Sequence, residues 1–473
     1  MPDTRIVTAS VKENVAYMNQ VLPVKESFDL IERDIMIGER EASFFFIDGF
    51  MKDEIMLKVM DSFLKVRKED MPASATGFAR QCLPYVEVDT ISDFDQVLRN
   101  LLSGTTCLFI DGYETCIVID CRTYPARGVA EPDKDKVLRG SRDGFVETLI
   151  FNTALIRRRI RDAAFTVEIL QAGESSHTDI AVCYMKRRVD EDLLRRIKDR
   201  IRTLHVDALT MNQESLAECL FPHKWFNPFP KFRFSERPDT AAASILEGNI
   251  VILVDTSPAA MILPSSVFDI IEEADDYYFP PITGTYLRLT RMIISTLSLL
   301  VTPTWLLLME YPSMIPSWLE FIQLSDPLNV PLIWQLLILE FAIDGLRLAA
   351  VNTPNMLTTP LSVIAGIVLG EYAVKSGWFN SETMLYMAFV TVANYSQASF
   401  ELGYAMKFMR ILILILTALF GIWGYAAGMV LTICAIIFNR TIAGKSYIYP
   451  LIPFRWKELR KRFFRGRLPH IMR

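Results

Sequence analysis

The chain has 473 residues, 51% of them hydrophobic and 22% charged, with a formal net charge of −5. Mean hydropathy is +0.24, above soluble norms, yet the first 280 residues carry dense charge and the last third carries long apolar runs, so a chain of uniform character is excluded. Seven cysteines, odd in number and scattered, exclude a disulfide frame and read as reduced, buried thiols.

In chain order, 1–10 has no apolar run, so no secretory signal peptide is expected, and 1–24 reads as a flexible leader. A first α/β subdomain is expected over 25–130. Within it, Phe44-Phe45-Phe46-Ile47 is a strand, 51–67 has apolar residues at helical spacing, and 107–110 and 116–119 are strands around the turn Asp111-Gly112-Tyr113-Glu114. The Pro- and Gly-containing 122–140 reads as a loop. A second α/β subdomain follows over 131–285, with a helix at 146–160, strands at 165–169 and 180–184, and a helix at 190–201. The acidic start and basic end of that last helix complement its dipole. In 225–237, aromatics alternate with Lys231 and Arg233; Pro228 and Pro230 favour an extended edge segment over a nucleic-acid surface. A strand pair at 248–254 and 260–263 completes the region. The four histidines are far apart and no CxxC occurs, so no metal site is expected.

A transmembrane domain is expected over 286–440, from apolar stretches at 289–309, 331–350, 357–374, 383–398 and 411–438, the last long enough to cross a bilayer as one span with tilt to spare. Arg288 and Arg291 flank the first stretch on its amino-terminal side, and the following loop carries Glu310, Glu320 and Asp326 without a base. Under the positive-inside rule the amino-terminal region is then inside and this loop outside. The 441–473 tail holds eight Lys/Arg within 454–473 and belongs inside as well, beside anionic lipid. Crossings must therefore be even: four spans, with the short, Asn394-containing 383–398 stretch re-entrant or interfacial.

Glu340, Asp344 and Arg347 lie on one face of the second apolar helix, where charges must face protein or water. They read either as a hydrophilic path for ions or as an internal Glu/Asp–Arg pair locking helices. Glu371 and Glu401 are further intramembrane candidates near segment ends. Gly421, Gly424 and Gly428, with G-x-x-x-G at 424–428, read as a packing or self-association face. No G-x-G-x-x-G, G-x-S-x-G or H-E-x-x-H occurs. Ala443-Gly444-Lys445-Ser446 resembles the end of a phosphate loop, but Asn439 replaces its first glycine, so no enzyme and no cofactor are expected.

Several longer strings carry a resemblance. They are Glu131-Pro132-Asp133, Arg139-Gly140-Ser141-Arg142-Asp143-Gly144-Phe145-Val146-Glu147, Asn227-Pro228-Phe229-Pro230, Glu236-Arg237-Pro238-Asp239, Val254-Asp255-Thr256-Ser257-Pro258 and Glu401-Leu402-Gly403-Tyr404-Ala405. Through them the chain resembles the GerA family of bacterial spore germination proteins from about residue 26 onward. Phe45-Phe46-Ile47-Asp48-Gly49-Phe50, Arg122-Thr123-Tyr124-Pro125-Ala126-Arg127 and Leu451-Ile452-Pro453-Phe454 point to one branch of that family. Where the family often has Pro-Ser-Tyr before Glu-Leu-Gly, this chain has Ala398-Ser399-Phe400. The resemblance implies the spore inner membrane, with the amino-terminal region and tail on the core side. It also implies homo-oligomers and work with receptor subunits and components of dipicolinic acid release, and it supplies no catalytic residues. The expected architecture is thus an α/β or α+β soluble region of two subdomains followed by a polytopic helical membrane domain. The expected function is an oligomeric subunit forming or gating an ion path. The alternative is a non-conducting scaffold; a transporter built on inverted repeats is disfavoured because no such repeats are visible.

Overall fold

A computed structural model describes residues 5–122, 136–221, 226–352, 366–444 and 446–466. The chain divides into one compact unit of 1–222 with 232–264 and a second of 223–231 with 265–473.

The first unit repeats one pattern twice. Module one runs α1 (Val11–Val21), β1 (Leu30–Ile37), β2 (Arg40–Ile47), α2 (Asp53–Leu64), α3 (Ala75–Gln81), β3 (Val88–Ile91), α4 (Phe94–Leu102), β4 (Thr106–Ile110) and β5 (Cys116–Ile119). Module two runs α5 (Leu149–Arg159), β6 (Phe165–Ala172), β7 (Thr178–Met185), α6 (Glu191–Arg202), α7 (Asn212–Leu220), β8 (Arg233–Ser235), α8 (Pro238–Leu246), β9 (Ile250–Val254) and β10 (Ala260–Leu263). Each forms a five-stranded sheet, β1-β2-β4-β5-β3 and β6-β7-β9-β10-β8, antiparallel throughout. Two hairpins lie side by side in each sheet, so β1 or β6 takes one edge and the short strand joined by helices, β3 or β8, takes the other.

The repetition extends to single hydrogen bonds. Asn14 on α1 donates to the Thr8 carbonyl and accepts from its amide, and Asn152 on α5 does the same to Val146. Asp111 after β4 accepts from the Val11 amide, and Asp255 after β9 accepts from Leu149, so each helix start is fixed by a carboxylate about a hundred residues away. Gly112 donates to the Ala9 carbonyl as Thr256 does to Glu147. Both positions have positive φ, 86° and 61°, which glycine adopts freely and threonine does not.

Helix α1 corrects the expected leader. Ser10 accepts from the Glu13 amide as N-cap, and Val11 and Met18, two turns apart, are buried in the module-one core. The modules are joined by a dry ion pair: Arg157 on α5 donates to Asp29 at 2.8 and 3.1 Å and lies over the Phe165 ring. Residues 123–135, which contain most of the expected loop and the 130/131 boundary, lie outside the described residues. The 225–237 segment splits: 233–235 is edge strand β8, whereas 223–231 belongs to the second unit. Burial pushes the Cys116, Cys121 and Cys183 thiols up, so these groups stay protonated and inert.

The second unit holds α9 (Val267–Ile271), α10 (Asp275–Tyr278), α11 (Pro281–Glu310), α12 (Leu332–Asn352), α13 (Ser381–Tyr395), α14 (Phe400–Ile437) and α15 (Trp456–Phe463). Residues 265–285 and the 441–466 part of the tail therefore belong to this unit rather than to a second subdomain or a separate tail. Of the third expected stretch, 357–365 lies outside the described residues, 366–372 is π-helical and 373–375 is a short α turn. Among the described residues, two helices are long and apolar enough to cross a membrane, α11 and α14. At about 1.5 Å per residue α11 is roughly 45 Å long.

The last apolar stretch is not one span. Gly421 has φ 57° and ψ −133° inside α14, and the helix reverses there. A Cβ on Gly424 would run into the Leu416 carbonyl, and one on Gly428 would sit 3.0 Å from the Ile413 Cα. In a straight helix 413 and 428 would be about 22 Å apart. The G-x-x-x-G face thus packs 422–437 against 400–420 as a hairpin within one chain. The 383–398 stretch, expected to be re-entrant or interfacial, is the regular helix α13 with no reversal inside it; a reversal lies in α14, where Gly421 adopts a backbone conformation that favours glycine.

Candidate functional site

Four charges meet between α12 and α14. Glu340 is 3% exposed, accepts from Arg410 Nε at 2.7 Å and forms an ion pair with its Nη2 at 2.6 Å; Arg410, 0% exposed, also donates Nη1 to the Ser298 carbonyl at 2.8 Å. Lys407, one turn before Arg410, donates to the Glu340 carbonyl at 3.0 Å. It pairs with the Glu340 carboxylate at 3.3 Å and with Asp344 at 2.5 Å. Acids at i and i+4 on one helix therefore face bases at i and i+3 on the other, and every charge has an opposite partner. Ser298 lies in the middle of α11, so the layer sits at mid-height of a membrane-length helix.

Arg347 does not pair with the acids of its own helix. Its guanidinium lies over the rings of Tyr395, Phe400 and Tyr404, 5.0–5.2 Å from each centroid. Together with Thr391, Asn394 and Tyr395 of α13 and the apolar Ile343 and Val390, the five charged groups line a small cavity that opens to solvent. Two acids and three bases give this cavity an excess of one positive charge. One turn from the start of α12, Gln335 accepts from the Asn380 amide and the Thr383 hydroxyl and donates to the Asn380 side chain, so this second polar layer is satisfied internally.

Comparison with known proteins decides the family. The model of the Bacillus/Clostridium GerA spore germination proteins matches residues 17–473. The chain belongs to the GerA family. Stage V sporulation protein AF of Bacillus subtilis (strain 168) is 34% identical over 97% of this chain and 94% of its own length. This is the branch to which the strings at 45–50, 122–127 and 451–454 point. Spore germination protein KA of the same organism is 26% identical over 97% of this chain and 85% of its own, and GerLA of Bacillus cereus is 26% identical over 88% and 84%. The solved N-terminal domain of the A subunit of the Bacillus megaterium spore germinant receptor GerK3 matches with a TM-score of 0.43 and 21% identity, over 55% of this chain and 96% of that one.

In this GerA-family chain the remaining candidates fall apart from the cluster. Glu371 is exposed and pairs with Lys375 one turn on. Glu401, in the first turn of α14, accepts from the Ser399 hydroxyl at 2.6 Å and is exposed. Arg288 and Arg291, read from sequence as flanking charges, are buried: Arg291 grips Asp276 at 2.9 and 3.2 Å, and Arg288 reaches Glu272 at 2.6 Å. Among the described residues no group of three or more His, Cys, Asp or Glu could hold a metal ion. The sequence reading missed Lys407 and Arg410. Their signal was available: two acids one turn apart in an apolar helix, matched by two bases one turn apart directly before the longest apolar run.

Proposed function

We propose that this chain is a membrane subunit of the spore germination apparatus. In this reading it assembles with copies of itself and with other germination membrane proteins, and forms or gates an ion path. The single observation that carries this is the buried four-charge layer beside a polar cavity. Placing a charge mid-membrane costs about 2.5–3.5 kcal/mol on insertion scales, and an apolar contact of equal volume holds helices together at least as well as a buried ion pair. Paired as found, Glu340–Arg410 and Asp344–Lys407 close the layer; opening requires the pairs to exchange partners as α12 and α14 shift. In this reading the amino-terminal unit and the basic tail face the spore core across the inner membrane, which the positive-inside rule supports through the tail.

The protein reconstituted in liposomes is expected to pass monovalent ions, and Glu340→Gln or Asp344→Asn to change the conductance several-fold. Silent liposomes holding folded, assembled protein would overturn the reading. A non-conducting scaffold is favoured by one specific observation, the complete pairing of the four charges within one chain. Replacing Glu340, Asp344, Lys407 and Arg410 together by apolar residues separates the two: germination survives in a scaffold and is lost in an ion path.

A further inference from the structure

We infer that helix α15 is a binding face for anionic phospholipid headgroups. The helix is fixed in place from one side. It buries Leu459 and sets Phe463 edge-on to Phe268, with centroids 5.9 Å apart. Arg462 pairs with Asp269 at 2.5 Å, and Arg288 donates to the carbonyls of Lys461 and Arg462 at 3.3 and 3.1 Å. The Arg465 amide donates to the Thr285 hydroxyl at 3.1 Å. The tail is thereby docked on the first two turns of α11.

The other side is left bare. At about 100° per residue, Lys457, Arg460 and Lys461 occupy an arc of roughly 100° turned away from Leu459. All three are exposed, and none has an ion-pair partner among the described residues. Aromatic rings frame the bases: Phe454 is 64% exposed and Trp456 62%, stacked at 6.3 Å, and Phe464 is exposed too. Bare cations beside bare rings are the composition of an interfacial helix, in which the rings sit at headgroup level and the bases meet phosphates. Continuity argues for the same occupant. From the end of α11 where the tail docks, Ile282, Tyr286 and Ile293 form an exposed apolar stripe along the helix.

The inference rests on the reading that α11 crosses a bilayer, and two separate measurements keep their failures apart. Co-flotation with pure phosphatidylcholine vesicles tests insertion, and both the wild type and K457Q/R460Q/K461Q should float; if neither does, the membrane reading fails. Lipid binding to the detergent-solubilised full chain, counted by native mass spectrometry, tests the face. The wild type should prefer phosphatidylglycerol over phosphatidylcholine. K457Q/R460Q/K461Q should lose roughly 100-fold in phosphatidylglycerol affinity, from about a factor of five per base near an anionic surface. K457R/R460K/K461R should retain it, and R195Q/R196Q on α6 should leave it unchanged. The inference is overturned if the wild type shows no headgroup preference, if the Gln variant binds as the wild type does, or if inorganic phosphate at equal concentration displaces the lipid.

Discussion

At the scale of single residues, the governing fact is that the buried charges described in both units each meet an opposite charge. Arg157 and Asp29 are 0% and 2% exposed and bidentate, so removing one partner strands the other in a dry interior. Arg157→Met should destabilise the first unit by about 3–5 kcal/mol. Asp29→Leu added to it should recover a good part, as measured by denaturant unfolding of the full chain in detergent. An additive double mutant would mean the pair is not coupled. Sequence reasoning found Glu340 and Asp344, since an acid in an apolar helix is conspicuous. It did not name their partners: the matched one-turn spacing of Lys407 and Arg410 was visible, but they lie more than 60 positions away, and only folding shows that α14 meets α12. For Arg347 the sequence left an acid pair open as one reading, and three rings drawn from the end of α13 and the start of α14 took it instead.

At the scale of elements, hydrophobic period located β4, β5, α5 and α6 to within a few residues, because each buries one face against a neighbouring layer, whereas β1, β3, α3, α4, α7 and α8 were not read. Helix α1 escaped, since its buried positions Val11 and Met18 are sparse among polar residues and its stability comes from the Ser10 cap and from Asp111 far along the chain. The last apolar stretch shows the opposite failure. Apolar length alone says that 411–438 can span, and nothing in length reports that Gly421 reverses the chain. Gly421→Ala should cost about 1–3 kcal/mol for its forbidden backbone, and Gly424→Leu should prevent closure of the hairpin onto Leu416. Both should lower the thermal midpoint in detergent. Gly345→Ala, with nothing within 4 Å of the added methyl, is the neutral control.

At the scale of the whole molecule, the proposed topology has a direct test. In a background with Cys82, Cys219 and Cys434 replaced by serine, a cysteine at Ser313 in the loop after α11 should react with an impermeant maleimide from outside sealed protoplasts. A cysteine at Lys457 should react only after permeabilisation. Labelling of both from outside would overturn the assigned sides. The sequence by itself determined that a charged amino-terminal region precedes an apolar helical one, that the thiols are not a disulfide frame, and that the chain resembles the GerA family. Composition, periodicity and local strings suffice for these because each is a property of contiguous residues. Only the tertiary structure decided that the first unit is one αββααβαββ pattern used twice, that the final apolar run is a hairpin, and that two acids and two bases close a buried layer. Each of these depends on residues distant in the chain meeting in space, where a backbone angle, a methyl-sized gap or an opposite charge, and not local pattern, selects the partner.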